Sequence, residues 1–209
     1  MSSHPSCASV LVQGIGNPLR GDDGLGPALI ERLQNLWQET TLEPTSTVDP
    51  DSAVEPDSTV EPKPTFEFEW VYQLQVEDAE RWIHFREVVL VDAHLRQTRP
   101  IELRELQARP LSGFSTHGLE PAGVLALAKT CFKVVPRVHL LSLRGVDFTM
   151  GAPLSGAGEA SLGAALEWFK ARWEQSLTGP IARGWNFASA ASVHDHIQDG
   201  RNGAVGGFE

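Results

Sequence analysis

The sequence predicts an α/β protein, a three-layer αβα sandwich around a central, mostly parallel, twisted sheet of about five strands. Three observations predict it. Short apolar runs alternate with amphipathic stretches along most of the chain. One run, Glu87 to Asp92 (EVVLVD), is apolar without alternation, as a strand buried on both faces must be. The first run passes directly into a glycine-rich turn and then a helical stripe.

Taken in order, Ser9 to Gln13 (SVLVQ) is a short strand ended by glycine, and Leu25 to Trp37 is a helix striped by Leu25, Leu29, Ile30, Leu33 and Leu36. Phe66 to Leu74 reads as a mixed aromatic and apolar strand, and Glu77 to Phe85 as a polar helix. Glu87 to Asp92 is the buried parallel strand, and Ile101 to Leu106 alternates as an edge strand does. Pro121 to Phe132 is helical, with proline in the first turn, where a missing N–H costs nothing. Val138 to Leu143 is a further strand. Gly158 to Leu177 is a long helix with Trp168, Phe169 and Trp173 on or near its apolar side.

The 209 residues carry 17 basic against 27 acidic side chains, a formal charge of −10, which excludes a simple basic nucleic-acid binder. With 41% hydrophobic and 21% charged residues the chain can build a core, and a single domain over residues 1–177 is expected. Cys7 and Cys131 form no paired-spacing framework, so neither a disulfide scaffold nor a cysteine zinc site is expected. The first nine residues lack a basic, then apolar, leader pattern, and no run of eighteen apolar residues occurs. The expectation is a soluble, cytoplasmic protein with no membrane insertion.

One segment is foreign to this pattern. Residues 39–64 hold an acidic, proline-rich hexapeptide repeat, with acid-proline pairs at Glu43-Pro44, Asp49-Pro50, Glu55-Pro56 and Glu61-Pro62. From Glu39 to Pro62 it carries 7 acids and no base, most of the net charge. Proline at this density denies it helix and ladder, and its few valines bury too little area to offset ordering, so a disordered surface insertion is expected. Residues 178–209 are rich in Gly and Ala and read as a loosely ordered tail. Its His194-Asp195-His196 triplet is a tail cluster more often solvated than metal-bound.

The chemistry points to the first turn, Gly14-Ile15-Gly16-Asn17-Pro18-Leu19-Arg20-Gly21-Asp22-Asp23-Gly24-Leu25-Gly26-Pro27. Leu19 stands where a dinucleotide fingerprint wants its third glycine, and a phosphate-loop lysine is absent. Asp22 and Asp23 at a helix start repel anions and attract a cation. Alone, either would more often cap the helix.

This turn resembles the N-terminal signature of the hydrogenase maturation proteases, endopeptidases that trim the C-terminus of nickel-iron hydrogenase large subunits. Val88-Val89-Leu90-Val91-Asp92-Ala93 is similar to that family's central strand, and Ser115-Thr116-His117-Gly118-Leu119 to its histidine segment. The likeness runs from about Val10 to Trp173. It implies nickel held by Asp23 and His117, with a third carboxylate after the second strand. The family's D-G-G-T stretch is absent there, and Tyr72-Gln73-Leu74-Gln75-Val76-Glu77-Asp78 stands in its place. Glu77 is assigned as third ligand, with Asp78 and Gln73 as alternatives. Asp92 is expected to shape the crevice from behind the ligands, with His94 a weaker case of the same kind.

Two carboxylates and an imidazole suit Ni²⁺ or Zn²⁺ and leave coordination positions open. The resemblance implies that the nickel is that of the substrate, with zinc or cadmium able to stand in for it in vitro. It also implies a NiFe-hydrogenase large-subunit precursor as the partner, a transient encounter that suits a monomer. No HExxH helix and no G-x-S-x-G elbow occurs. The economical mechanism is a carboxylate acting as general base on water, with Asp23 and His117 as the catalytic residues. The alternatives are a non-catalytic nickel-binding assembly protein on the same fold and, disfavoured by the acids at the helix start, a nucleotide-binding domain.

Overall fold

A computed structural model of the chain describes residues 9–42, 65–109 and 119–178. Strands β1 (Ser9–Ile15), β2 (Thr65–Val71), β3 (Glu87–His94), β4 (Ile101–Glu105) and β5 (Arg137–Arg144) form one sheet in the order β2-β1-β3-β5-β4. All pairings are parallel except that of β4, which runs antiparallel to β5 on the far edge. The helices are α1 (Leu25–Leu42), α2 (Asp78–Trp82), α3 (Pro121–Leu127) and α4 (Gly156–Thr178). The expected sandwich is therefore the observed one.

The period of two along each strand divides the core. Val10 and Val12 of β1, with Val89 and Val91 of β3, face α1 and α4. Leu11 of β1, with Val88 and Leu90 of β3, faces α2 and α3. The stripe of α1 (Leu25, Leu29, Ile30, Leu33) is fully buried, as are Leu162 and Phe169 of α4. Each such side chain contributes roughly 1.5–3 kcal/mol.

Several boundaries differ from the sequence reading for physical reasons. β2 stops at Val71 rather than Leu74, because its partner β1 ends at Ile15 and the Val71 carbonyl accepts the last bond, from Gly16 N at 3.0 Å. Tyr72 and Gln73 then turn into solvent. The helix expected over Glu77 to Phe85 is only α2, little more than one turn anchored by buried Ala79 and Trp82. The helix over Pro121 to Phe132 widens into a π-helical turn at Ala128–Phe132 and ends on left-handed Lys133 (φ 61°). α1 runs on to Leu42, four residues into the stretch read as insertion. The rest of the insertion and the tail with His194, Asp195 and His196 lie outside the described residues. Among the described residues, no helix is long and apolar enough to cross a membrane.

Candidate functional site

The connections define where a ligand can enter. From β1 the chain passes through α1 to β2 on one side; from β2 it passes through α2 to β3 on the other, with α1 and α2 on opposite faces. The order therefore reverses between β1 and β3, and a crevice opens beyond their carboxyl ends.

The signature turn fills one wall of that crevice. Gly16 sits at φ 135°, and a Cβ there would collide with the Asp23 carbonyl, so only glycine lets the turn fold back on itself. A Cβ on Gly26 would lie 2.7 Å from Ile15 N and 2.8 Å from Val91 O; its absence seats the first turn of α1 between β1 and β3. Asn17 N donates to Asp23 Oδ2 at 3.2 Å, fixing that carboxylate at the crevice.

The two adjacent acids have separate fates. Asp22 is fully buried. Its Oδ2 accepts from Val146 N (2.7 Å), Asp147 N (3.0 Å) and Ser155 Oγ (2.7 Å), and its Oδ1 from Ser155 N (2.7 Å). Burial would raise its pKa, but these donors overcome burial and hold it below the usual carboxylate value. Asp22 does not cap the helix that follows it, as an isolated Asp would. It ties the signature turn to the loop between β5 and α4 and holds the residue just before α4. Asp23, one residue on, is half-buried and faces the crevice.

Across from it stands Asp92, near the end of β3. Burial lifts its pKa to about 6, and the charge on Asp23 adds to the rise, against a backbone hydrogen bond at Ala93. Two carboxylates thus share the switch point from the two strands that flank it. The sequence reading set Asp92 behind the ligands; the structure sets it beside Asp23. The signal was available, since a strand-end acid at a topological reversal points into the crevice, but the strand order needed to use it is not written in one sequence.

The other candidates are placed as follows. Glu77 is exposed just ahead of α2, beyond the end of β2, one strand away from the reversal. Asp78 is buried and spent on the fold: its Oδ1 accepts from Gln13 Nε2 (2.8 Å) and its Oδ2 from Gln75 N (2.7 Å). The same buried Gln13 accepts from Trp82 Nε1 at 3.0 Å, so this network fastens α2 to β1. Gln73 is exposed. His94 is exposed and its Nδ1 accepts from Arg96 N at 3.3 Å. His117 lies outside the described residues. Among the described residues no three His, Cys, Asp or Glu side chains are grouped to hold a metal ion.

Large apolar side chains crowd this end of the sheet: Leu19, Trp70, Tyr72, Leu95, Val146 and Met150 are all exposed on its loops or strand ends.

Known structures share this architecture. Hydrogenase maturating endopeptidase HybD from Escherichia coli is similar with 19% identity over 80% of this chain and 93% of its own, at a TM-score of 0.54. The NiFe hydrogenase maturation protease HycI from Thermococcus kodakarensis KOD1 is similar with 20% identity over 78% of this chain and 90% of its own, at 0.52. The chain has the fold of the hydrogenase maturation proteases. An endopeptidase from Escherichia coli shares the maturation-protease fold too, at 18% identity, 82% and 94% coverage and a TM-score of 0.53. No family model matches the sequence, and no curated protein does. The maturation-protease fold thus agrees with the resemblance carried by the three sequence motifs.

Proposed function

We propose that this protein is an endopeptidase that removes a C-terminal extension from the precursor of a NiFe-hydrogenase large subunit once nickel has been inserted. The observation that carries the reading is the juxtaposition of Asp23 and Asp92 at the switch point of a maturation-protease fold. A carboxylate whose proton affinity is raised by a neighbouring carboxylate marks a poor anion site and a good cation site.

The nickel recognised is the metal of the loaded precursor. Asp23 and Asp92 fit it as oxygen donors, and the sequence resemblance supplies His117 and Glu77 as the remaining candidates. The imidazole must be neutral to bind, so affinity for nickel falls as pH drops through the histidine range. A carboxylate of the pair accepts the proton of the water that attacks the scissile carbonyl and returns it to the departing amine. Asp23 is first choice for this role because Asn17 N holds it at the crevice. Waiting for nickel follows directly, since an unloaded precursor offers the acid pair no counter-charge.

Mass spectrometry of nickel-loaded and nickel-free precursor, each incubated with the protein, tests the reading. Loss of a C-terminal peptide from the loaded form alone is expected. Unchanged masses in both, with a verified cognate precursor, would overturn it in favour of a nickel-binding assembly protein.

A further inference from the structure

Among the described residues, the edge of the sheet beside the crevice is open to main chain. β2 is an edge strand with β1 as its one neighbour among the described residues. Backbone groups alternate in direction along a strand, and the Val71 carbonyl points at β1, where it accepts from Gly16 N. The N–H and C=O groups of Phe68 and Trp70 therefore point away from the sheet. The Phe68 carbonyl takes a hydrogen bond at 3.1 Å from the side chain of Gln34, an exposed and displaceable donor. β2 holds no lysine, proline or bulge, and its two charged residues, Glu67 and Glu69, are paired with Arg81.

A groove of about 320 Å³ begins at Trp70 on this edge and runs over the start of α1, lined among others by Pro18, Gly24, Ala28, Gln34 and Leu154. Pro18 and Gly24 belong to the turn that carries Asp23, so the groove leads from the strand edge to the candidate site. Trp70 and Tyr72, both exposed, meet edge to face at 5.2 Å at the point where β2 ends.

We infer that the outward backbone of Phe68 and Trp70 takes an extended segment of the substrate polypeptide as an added strand, its side chains seated in the groove and its scissile bond led to Asp23. This inference rests on the endopeptidase reading above and specifies the partner as an extended peptide recognised through its main chain. Main-chain pairing supplies affinity with little regard to sequence, while alternate side chains read the groove.

The test compares Trp70→Pro with Trp70→Ala in the full chain acting on nickel-loaded precursor. Both lose the indole, but only proline removes the outward N–H, and proline is tolerated where that N–H faces away from the ladder. Trp70→Pro is expected to raise KM about three- to tenfold beyond Trp70→Ala, with kcat within about twofold, the loss of one main-chain hydrogen bond. Equal KM values for the two variants, with wild type active, would overturn the inference and leave the endopeptidase reading standing. Wild type that cuts no verified precursor brings down both.

Should Trp70→Pro fail to fold, wild type answers the question with synthetic peptides of the precursor's C-terminal segment, N-methylated one amide at a time and used as competitors. Weakened competition at every second position is the signature of strand addition; a flat profile would overturn it. Slow exchange of the Trp70 amide in the absence of precursor would also overturn it, because the edge would already be covered.

Discussion

β3 carries a carboxylate towards each end, Glu87 buried and Asp92 half-buried, and the two differ in the company they keep. Asp92, at the carboxyl end, is pushed to about 6 by burial and by the neighbouring charge of Asp23. Glu87, at the amino end, is pushed to about 7, chiefly by burial; Arg137 and Arg86 pull the other way, and the charge of Glu105 adds to the rise. The larger perturbation is therefore at the end away from the switch point, near a pocket of about 320 Å³ lined among others by Glu105, Lys129 and Arg137. A shifted pKa by itself does not mark chemistry, because structural clusters shift too. What distinguishes the ends is the balance of neighbours: Asp92 has an acid beside it and no base to oppose it, which calls for an incoming cation, while Glu87 has two arginines set against the one acid, Glu105.

The sharpest break of that comparison comes from the crevice pair. Asp23→Asn and Asp92→Asn are each expected to cut processing of loaded precursor by about 10²–10⁴-fold, the range of a lost acid-base group. Asp92→Asn should at the same time leave the fold as stable or more so. A carboxyl raised to about 6 is a folding penalty at neutral pH, present above that value and absent below about 3.8. Activity lost while stability is kept is what a functional acid shows and a structural one does not. Glu77→Gln, assayed alongside, decides between the carboxylates: near-normal processing leaves Asp92 as the partner of Asp23, and complete loss restores Glu77.

Asp22 tests the other half of the signature. Asp22→Asn replaces one of the two acceptor oxygens by an N–H₂, which then opposes at least the Ser155 N–H that now meets Oδ1. A loss of about 2–3 kcal/mol is expected, seen as a shift in urea midpoint. A loss of activity with no loss of stability would make Asp22, not Asp23, the acid of the site.

These contrasts also explain what could be read in advance. The fold was legible because β1, β3, β5 and α1 are patterned by burial, which a single sequence records directly. The signature turn was legible because Gly16 and Gly26 answer local backbone demands. Which acid does what was not, since Asp22 and Asp23 are chemically identical neighbours. Their roles are set by Val146, Asp147 and Ser155, more than 120 residues away in the chain. The nearness of Asp92 to Asp23 was hidden for a similar reason, because it requires the order β2-β1-β3. Asp78 looked like a ligand until Gln13, a buried amide in a central strand, was seen to need it.

The smallest expected effect lies at the amino end of the sheet and is visible only as a pH dependence. Glu87 stays protonated in the folded protein up to about 7, against 4.5 in the unfolded chain, so it lowers stability progressively as pH rises between those values and fully above them. His139, buried nearby on β5, is pushed down to about 4 by burial against an ordinary 6.5, so it lowers stability as pH falls through that interval. The two slopes oppose each other, and between about 4.5 and 6.5 they largely cancel in the wild type. Glu87→Gln removes one of them. The variant should match wild type near pH 4.5, gain stability steadily, and exceed it by at most about 3 kcal/mol at pH 8. Urea midpoints at pH 4.5, 6 and 8 measure this. A gain independent of pH would mean that Arg137, 3.9 Å away, keeps Glu87 ionised throughout, and the two ends of β3 would then differ in charge state as well as in company.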